Sequence, residues 1–490
     1  MKSFAARCGV HSPARATACK EIPARLKAAG IDTVRVAWGD LHGSLRSKTL
    51  MAHAVPAALL EGITMVSTLM LKDSSDRSAY AVFEPGALDD LPGFSAANNL
   101  VLLPDPASLR PLPWAPGTAW MLAQPWFADA TVVSLDTRQV LKAALHQLAA
   151  AGYGLRCGLE IEFHIYRIEG ENLDPAHAAW PAEPPTVSLV HPGYHLLSDA
   201  WADRADEPLQ IVRRTAQQLG LLLRSLEIEL GPSQVEAVFE ATDALTAADH
   251  MLLFRNGVTQ ALRRAGYHAS FMCLPPFSSV MASGWHLHQS VVDLQTGRNA
   301  FMRDAPAQGS SPSDAQYTLS ALGEQWLAGL LAHGRGMAVF CAPTINGYGR
   351  FRPNAMAPQA VLWGRDNRGA MLRVLGDVGD ASTRIENRIG EPLANPYLYI
   401  ASQIHAGLDG IAQGLSAGPA TASAYGDAAQ RLPNSLAEAL DALAADVALV
   451  QAFGTTLVNW LTRIKRAELA RFDAAEDPHD WQRREYFSRF

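Results

Sequence analysis

The sequence predicts an α+β protein: a small β-rich domain followed by one large domain in which strands and helices are interspersed. Three observations carry this reading. Short alternating apolar stretches and a proline-rich segment fill the first 130 residues or so, whereas helix-period stretches recur only after about residue 136. At 490 residues the chain is long enough for about two to four domains. Its 48% hydrophobic and 18% charged residues are ordinary for a globular protein. The net charge of −7 argues against a nucleic-acid or anionic-membrane binder, so neither partner is expected. Five scattered cysteines form no CxxC pair, no run is apolar enough to span a membrane, and MKSFAARCGV lacks a signal-peptide core. Together these point to a cytoplasmic location.

Taken in order, residues 1–19 are expected to form a flexible, slightly basic arm. The small domain is expected over 20–130. CKEIPARLKAAG (19–30) predicts a short helix with a glycine stop, DTVRVAWGD (32–40) a strand, and LHGS a turn. Further strands are predicted at 63–71 and 98–105, and the five prolines of 104–117 favour extended chain. The large domain, 131–490, opens with a helix over 136–152, where Asp136 precedes the apolar period and Gly152 ends it. Helices are predicted again over 207–219, 242–265 and 314–336, and the chain from about 433 is mostly helical. The Ala-, Gly- and Ser-rich segment 414–430 predicts a surface loop, with Tyr425 a plain loop residue.

Four segments share a pattern that carries chemistry. In GLEIEFHIY, Leu159, Ile161, Phe163 and Ile165 alternate with Glu160, Glu162, His164 and Tyr166; in SLEIELG, Leu226, Ile228 and Leu230 alternate with Glu227 and Glu229. His286, His288 and Ser290 share one parity in SGWHLHQS, as do Arg384, Glu386 and Arg388 in TRIENRIG. Alternate residues of a strand point to one face, so each strand offers an apolar face and a functional one. Converging faces of this kind make a cavity rich in carboxylate, with little imidazole and no thiolate, which suits Mg²⁺ or Mn²⁺ rather than zinc. Arginines add forked, permanently charged donors for phosphate or carboxylate. Metal, glutamates and arginines together suggest metal-assisted phosphoryl transfer. Neither GxxxxGK[ST] nor GxGxxG occurs, so a nucleotide would be held through metal and arginine.

These segments, in this order, resemble the glutamine synthetase superfamily from about residue 30 onward. GLEIEF is similar to its paired-glutamate strand, EIELGPSQVE (227–236) to its E-V-x-P-G-Q-x-E stretch, and SGWHLH to its SGMHxH. APTINGYGRF, WGRDNR, RIENR and ANPYLYIASQIHAGLDGI follow in register. The resemblance implies an N-terminal β-grasp domain, a catalytic domain built around a partial α/β barrel, and a homo-oligomer, usually a dodecamer of two hexameric rings with active sites between subunits. It implies ATP and two divalent cations, Mg²⁺ or Mn²⁺. Glu162, Glu229 and Glu236 would hold one cation; Glu160, His286 and Glu386 would hold the other. His288 and Ser290 would lie near the nucleotide, and Arg368, Arg373 and Arg384 would contact phosphate. Arg350 and Arg388 would clamp glutamate, and Asp40 would stand beside the incoming amine as a catalytic group, with Arg368 the other. The implied reaction converts a γ-carboxylate into an acyl phosphate at the cost of ATP; an amine then attacks and phosphate leaves.

Three positions depart from the ammonia-using enzymes. Met356 in RFRPNAMAP stands where they carry a glutamate, Leu274 replaces a lysine, and Met281-Ala282 replaces Asn-Gly. A methionine removes an anion that would attract ammonium and adds adaptable apolar surface. The expectation is therefore a ligase joining glutamate to an organic amine, hydrophobic or aromatic, as in a γ-glutamylanilide synthase. Polyamine or alkylamine ligases, an ammonia-dependent glutamine synthetase and a non-catalytic ring-forming homologue are the alternatives.

Overall fold

The computed structural model describes residues 2–352, 356–426 and 430–490. Two sheets organise it. The first contains β1 (Thr33–Gly39), β2 (Leu45–Met51), β3 (Ile63–Val66), β4 (Asn99–Pro104), β5 (Arg110–Pro111) and β6 (Thr118–Phe127). Its order is β2-β1-β6-β4-β3, with β5 also on β6. β1 and β6 run parallel, while the β1–β2 hairpin is antiparallel.

The second sheet contains β7 (Tyr153–Gly170), β8 (Thr186–Leu189), β9 (Leu223–Ile228), β10 (Gln234–Asp243), β11 (Tyr267–Ser270), β12 (Trp285–Asp293), β13 (Trp363–Arg365), β14 (Leu372–Leu375) and β15 (Arg384–Asn387). Its main path is β13-β14-β15-β12-β7-β10-β9. The fold is α+β, with this curled sheet forming the partial barrel. The strands that carried the alternating pattern are neighbours, and the apolar face of β7 (Leu159, Ile161, Phe163, Ile165) is buried.

Helices cover that apolar side. Pro396–Gln413, capped by Asn395, packs on Ala321–Ala332 so closely that a Cβ on Gly329 would lie 2.0 Å from the Ala406 carbonyl oxygen. Gln403 of the first helix accepts from Asn387 and Gln289, tying the helix to β15 and β12. The helix Ala244–Arg264 supports the β1–β2 turn: Arg255 donates to the carbonyls of His42 and Gly43.

Three expectations are corrected. The first 19 residues are not a loose arm: Phe4–Arg7 and Pro13–Ala28 are helical, and Phe4 and Ala5 are buried against Leu103 and Trp126. Ser12 caps the second helix and Pro13 opens it, so it begins well before residue 19. The strand expected over 63–71 ends at Val66, where a 3₁₀ turn (Ser67–Leu71) follows. The helix expected over 314–336 is shorter, running from Ala321 to Ala332 after a 3₁₀ turn. Of the loop expected over 414–430, residues 427–429 lie outside the described residues, as do Pro353–Ala355 of RFRPNAMAP.

Candidate active site

Strand register assembles the candidate site. Glu162 of β7 stands opposite Glu236 of β10, which stands opposite Glu227 of β9. Glu160 stands opposite His286 of β12, His288 opposite Glu386 of β15, and Glu386 opposite Arg373 of β14. Directly opposed residues share a face, so one face of the sheet carries all of them. Glu229 lies just past the end of β9, and Arg388 just past β15.

Among the described residues, two side-chain groups have ligand atoms within 4.8 Å of one another: Glu160, Glu236 and His286, and Glu160, His288 and Glu386. Glu160 belongs to both, and His288, expected near the nucleotide, falls within ligand reach of Glu386. This grouping differs from the expected trios. His288 Nε2 lies 2.8 Å and His286 Nδ1 3.4 Å from Glu160 oxygens, yet neither buried nitrogen has an aligned hydrogen-bond partner. Imidazole nitrogens that face a shared carboxylate without an aligned hydrogen bond are what a cation's ligands look like.

The charges agree. Burial raises the carboxyl pKa values of Glu229 and Glu236, and the neighbouring Glu162 raises both further. Burial also opposes ionisation of Glu160, but His286 and His288 outweigh it and hold that carboxyl far below its usual range. Glu386, fully buried, is likewise held low against burial by His286 and Arg388. A cluster of carboxylates that repel one another fits a divalent cation, which would reverse the penalty.

Arginines ring the cluster. Arg373 Nη1 donates to Glu386 Oε2 at 3.0 Å, Arg388 Nη1 pairs with the other Glu386 oxygen, and Arg373 also holds Asp366. Asp366 was not singled out from sequence; its left-handed backbone (φ 46°) at a tight turn is visible only in the fold. Arg350 Nη2 donates to His286 Nε2 at 3.3 Å, an approach that Gly284 permits, because a Cβ there would lie 2.4 Å from Arg350 Nη2. Arg384 Nε donates to His288 Nδ1 at 3.2 Å. Arg368 is exposed, and only its carbonyl joins the site, accepting from Arg388 Nε.

Beside Glu160 and His288 opens a cavity of about 730 Å³, lined also by Ser290, Arg384, Arg156, Arg224 and Arg298. Its volume is in the range of small-molecule sites. Met356 lies on the arginine side, 57% exposed, its carbonyl 3.4 Å from Arg388 Nη2. Leu274 and Met281 are partly buried nearby in sequence to the β12 start.

Asp40 is elsewhere. It occupies the β1–β2 turn, where its carboxylate accepts from the amides of His42 and Ser44 and from Arg46 Nε. Burial opposes its charge, but His42 and Arg46 prevail and hold its pKa low.

The glutamine synthetase catalytic-domain family matches residues 134–486, and the chain belongs to that family. It is an ATP-dependent ligase by that membership. It is 37% identical to a gamma-glutamylanilide synthase of an Acinetobacter species, across 96% of each chain. It is 31% identical to a gamma-glutamylethanolamide synthetase of Streptomyces coelicolor, also across 96% of each. A glutamate–methylamine ligase of Methyloversatilis universalis is 30% identical over 92% of this chain and 95% of its own. Among solved structures, a GmaS–ADP complex aligns with TM-score 0.74 and 26% identity over 94% of this chain and 98% of its own. No helix among the described residues is long and apolar enough to cross a membrane.

Proposed function

We propose that this chain joins glutamate to a hydrophobic, preferably aromatic, amine, forming a γ-glutamyl amide through a γ-glutamyl phosphate. The observation that carries the amine assignment is the position of Met356: its backbone carbonyl accepts from Arg388 Nη2, so the residue that stands in place of an anionic one borders the arginine proposed to hold glutamate. An arylamine is neutral near pH 7 and needs no carboxylate to attract it, and burying its ring contributes about 1–3 kcal/mol. The printed name of the 37% identical relative, a gamma-glutamylanilide synthase, supports the same class.

Glu160, Glu162, Glu229, Glu236, His286 and Glu386 are the proposed ligands of two cations, Mg²⁺ or Mn²⁺, and the present geometry adds His288 to the candidates. Bound there, the cations supply positive charge at the transferred phosphoryl group. The cavity beside His288, Ser290 and Arg384 is proposed for ATP. Arg373 and Arg368 would face phosphate, and Arg350 and Arg388 would orient the glutamate carboxylates.

Asp40 pairs with Arg46 rather than with the carboxylate cluster. With the family resemblance, we take the assembly to be a homo-oligomer, a dodecamer of two rings, in which the turn would serve a neighbouring subunit's amine. The free cysteines suit a reducing cytoplasm. The test is kcat/KM for aniline, isopropylamine, putrescine and ammonium under one set of conditions. Aniline is expected to lead; ammonium leading every organic amine would refute the assignment.

A further inference from the structure

His164 shares the functional face of β7 with Glu160 and Glu162 but takes no part in the site described above. It is wholly buried, stacks on Tyr166 at 5.9 Å between ring centroids, and stands opposite Gln234 across the β7–β10 ladder. Ser283 Oγ lies 3.3 Å from His164 Nδ1 and 3.0 Å from Gln234 Nε2, and it too is wholly buried.

The donors and acceptors fix the direction of this chain. The Gln234 Oε1 atom accepts from the Gly231 amide at 2.9 Å, so its Nε2 faces the other way. The two hydrogens of that nitrogen reach Ser283 Oγ and the Ala282 carbonyl at 3.2 Å, and Glu162 Oε2 at 3.4 Å shares one of them. Ser283 Oγ accepts from Gln234, and its own proton is free for His164 Nδ1 where that nitrogen is the unprotonated one. Glu162 Oε2 also accepts from the Gly284 amide at 2.8 Å. Its Oε1 is left facing His286 Nε2 at 3.8 Å, inside the carboxylate cluster.

We propose that Gln234, Ser283 and His164 form a positioning chain that pins Glu162 by Oε2 and presents Oε1 to a divalent cation. A glutamate side chain otherwise samples several rotamers, and fixing one oxygen selects the geometry in which the other can ligate. The chain's inner end is rigid because Gly231 admits the Gln234 amide: a Cβ there would lie 2.6 Å from Gln234 Oε1. Its outer end is rigid because His164 is clamped by the Tyr166 stack. This inference rests on the proposal that Glu162 is a metal ligand.

The test is Mn²⁺ binding to the assembled, nucleotide-free enzyme by titration calorimetry, with Glu162→Ala as the ligand control. Ser283→Ala and Gln234→Leu are expected to weaken Mn²⁺ by about 10–100-fold, the usual effect of losing an outer partner of a ligand. His164→Phe, which keeps the stack and removes the acceptor, should weaken it less. The melting temperature and the KM for the amine should stay near wild type, which a general loss of structure would not allow. Wild-type Mn²⁺ affinity in Ser283→Ala, which removes a single oxygen atom, overturns the chain even if Gln234→Leu fails to assemble. Wild-type affinity in Glu162→Ala instead overturns the metal role of Glu162 itself, and the two failures are distinct.

Discussion

His288 and Glu386 stand directly opposite each other on antiparallel β12 and β15, and both reach atoms within ligand distance of Glu160. The pair joins a strand near the middle of the chain to one about 100 residues later. It also makes Glu386 a shared partner: two arginines hold its oxygens while two histidines face it. The same carboxylate thus orders the arginines and completes the acidic cluster.

Glu162→Ala and Glu386→Gln should each lower kcat by at least about 100-fold, because electrostatic stabilisation supplies most of such a barrier reduction. The conservative change is chosen for Glu386 because a glutamine removes the charge but keeps an oxygen to accept from Arg373 or Arg388, whereas an alanine would leave a void and take that acceptor away from both. Phosphate release at saturating Mg²⁺ and Mn²⁺ checks this, with size-exclusion chromatography showing an unchanged assembly. Near-normal rates in both variants would remove them from the site.

The proposed sharing of sites between subunits predicts complementation. An Asp40→Asn chain and a Glu162→Ala chain, each inactive alone, should regain part of the wild-type rate after dissociation and joint reassembly. Asn can keep the turn by accepting from the His42 and Ser44 amides while losing the charge. Mixed assemblies that stay dead would show that Asp40 acts within its own chain.

Met356→Glu should shift preference toward ammonium. The substitution would place a carboxylate on a residue whose backbone carbonyl already accepts from Arg388, restoring an anion on the amine side. The ratio of kcat/KM for ammonium to that for aniline should rise by about 10-fold or more, equivalent to about 1.4 kcal/mol. An unchanged ratio would mean that residue 356 does not face the amine.

His333 predicts a pH-dependent stability. Its Nδ1 lies 2.8 Å from Asp446 and its Nε2 2.9 Å from Asp409. Burial works against the imidazolium, but the two carboxylates prevail and raise its pKa. A folded pKa above the unfolded value gives stability that is complete below the unfolded pKa, about 6.5, and is lost as pH rises through the folded one. His333→Gln should therefore lower the melting temperature more at about pH 6 than at about pH 9. Equal losses at both would show that the ring is neutral throughout.

Gly329→Ala should destabilise severely, by at least about 3 kcal/mol, since the methyl group would meet the Ala406 carbonyl at 2.0 Å and force two packed helices apart. Thermal unfolding reads the loss. Activity should fall with it, because Gln403 on the displaced helix ties down Gln289 and Asn387 behind the functional face.

Much of the site follows from a period of two. Leu159, Ile161 and Phe163 had to face the core, so Glu160, Glu162 and His164 had to face away from it. The resemblance carried by SGWHLH and RIENR then identified the remaining strands without any coordinates. The Phe4–Arg7 helix and the first turns of Pro13–Ala28 escaped because PARATACKEIPARLKA has almost no amphipathic stripe; what holds the arm down is Phe4 against Leu103 and Trp126, about a hundred residues away. By itself, then, the sequence determined the family, the two faces of each strand and the kind of chemistry those faces carry. Only the tertiary structure decided which partners meet: Glu160 between both histidines, Asp40 locked to Arg46, and Gln234 linked through Ser283 to His164. The physical reason is register. Alternation is local and legible along one strand, but which residue of one strand stands opposite which of another depends on how distant segments pack, and a slip of one residue would reverse every face.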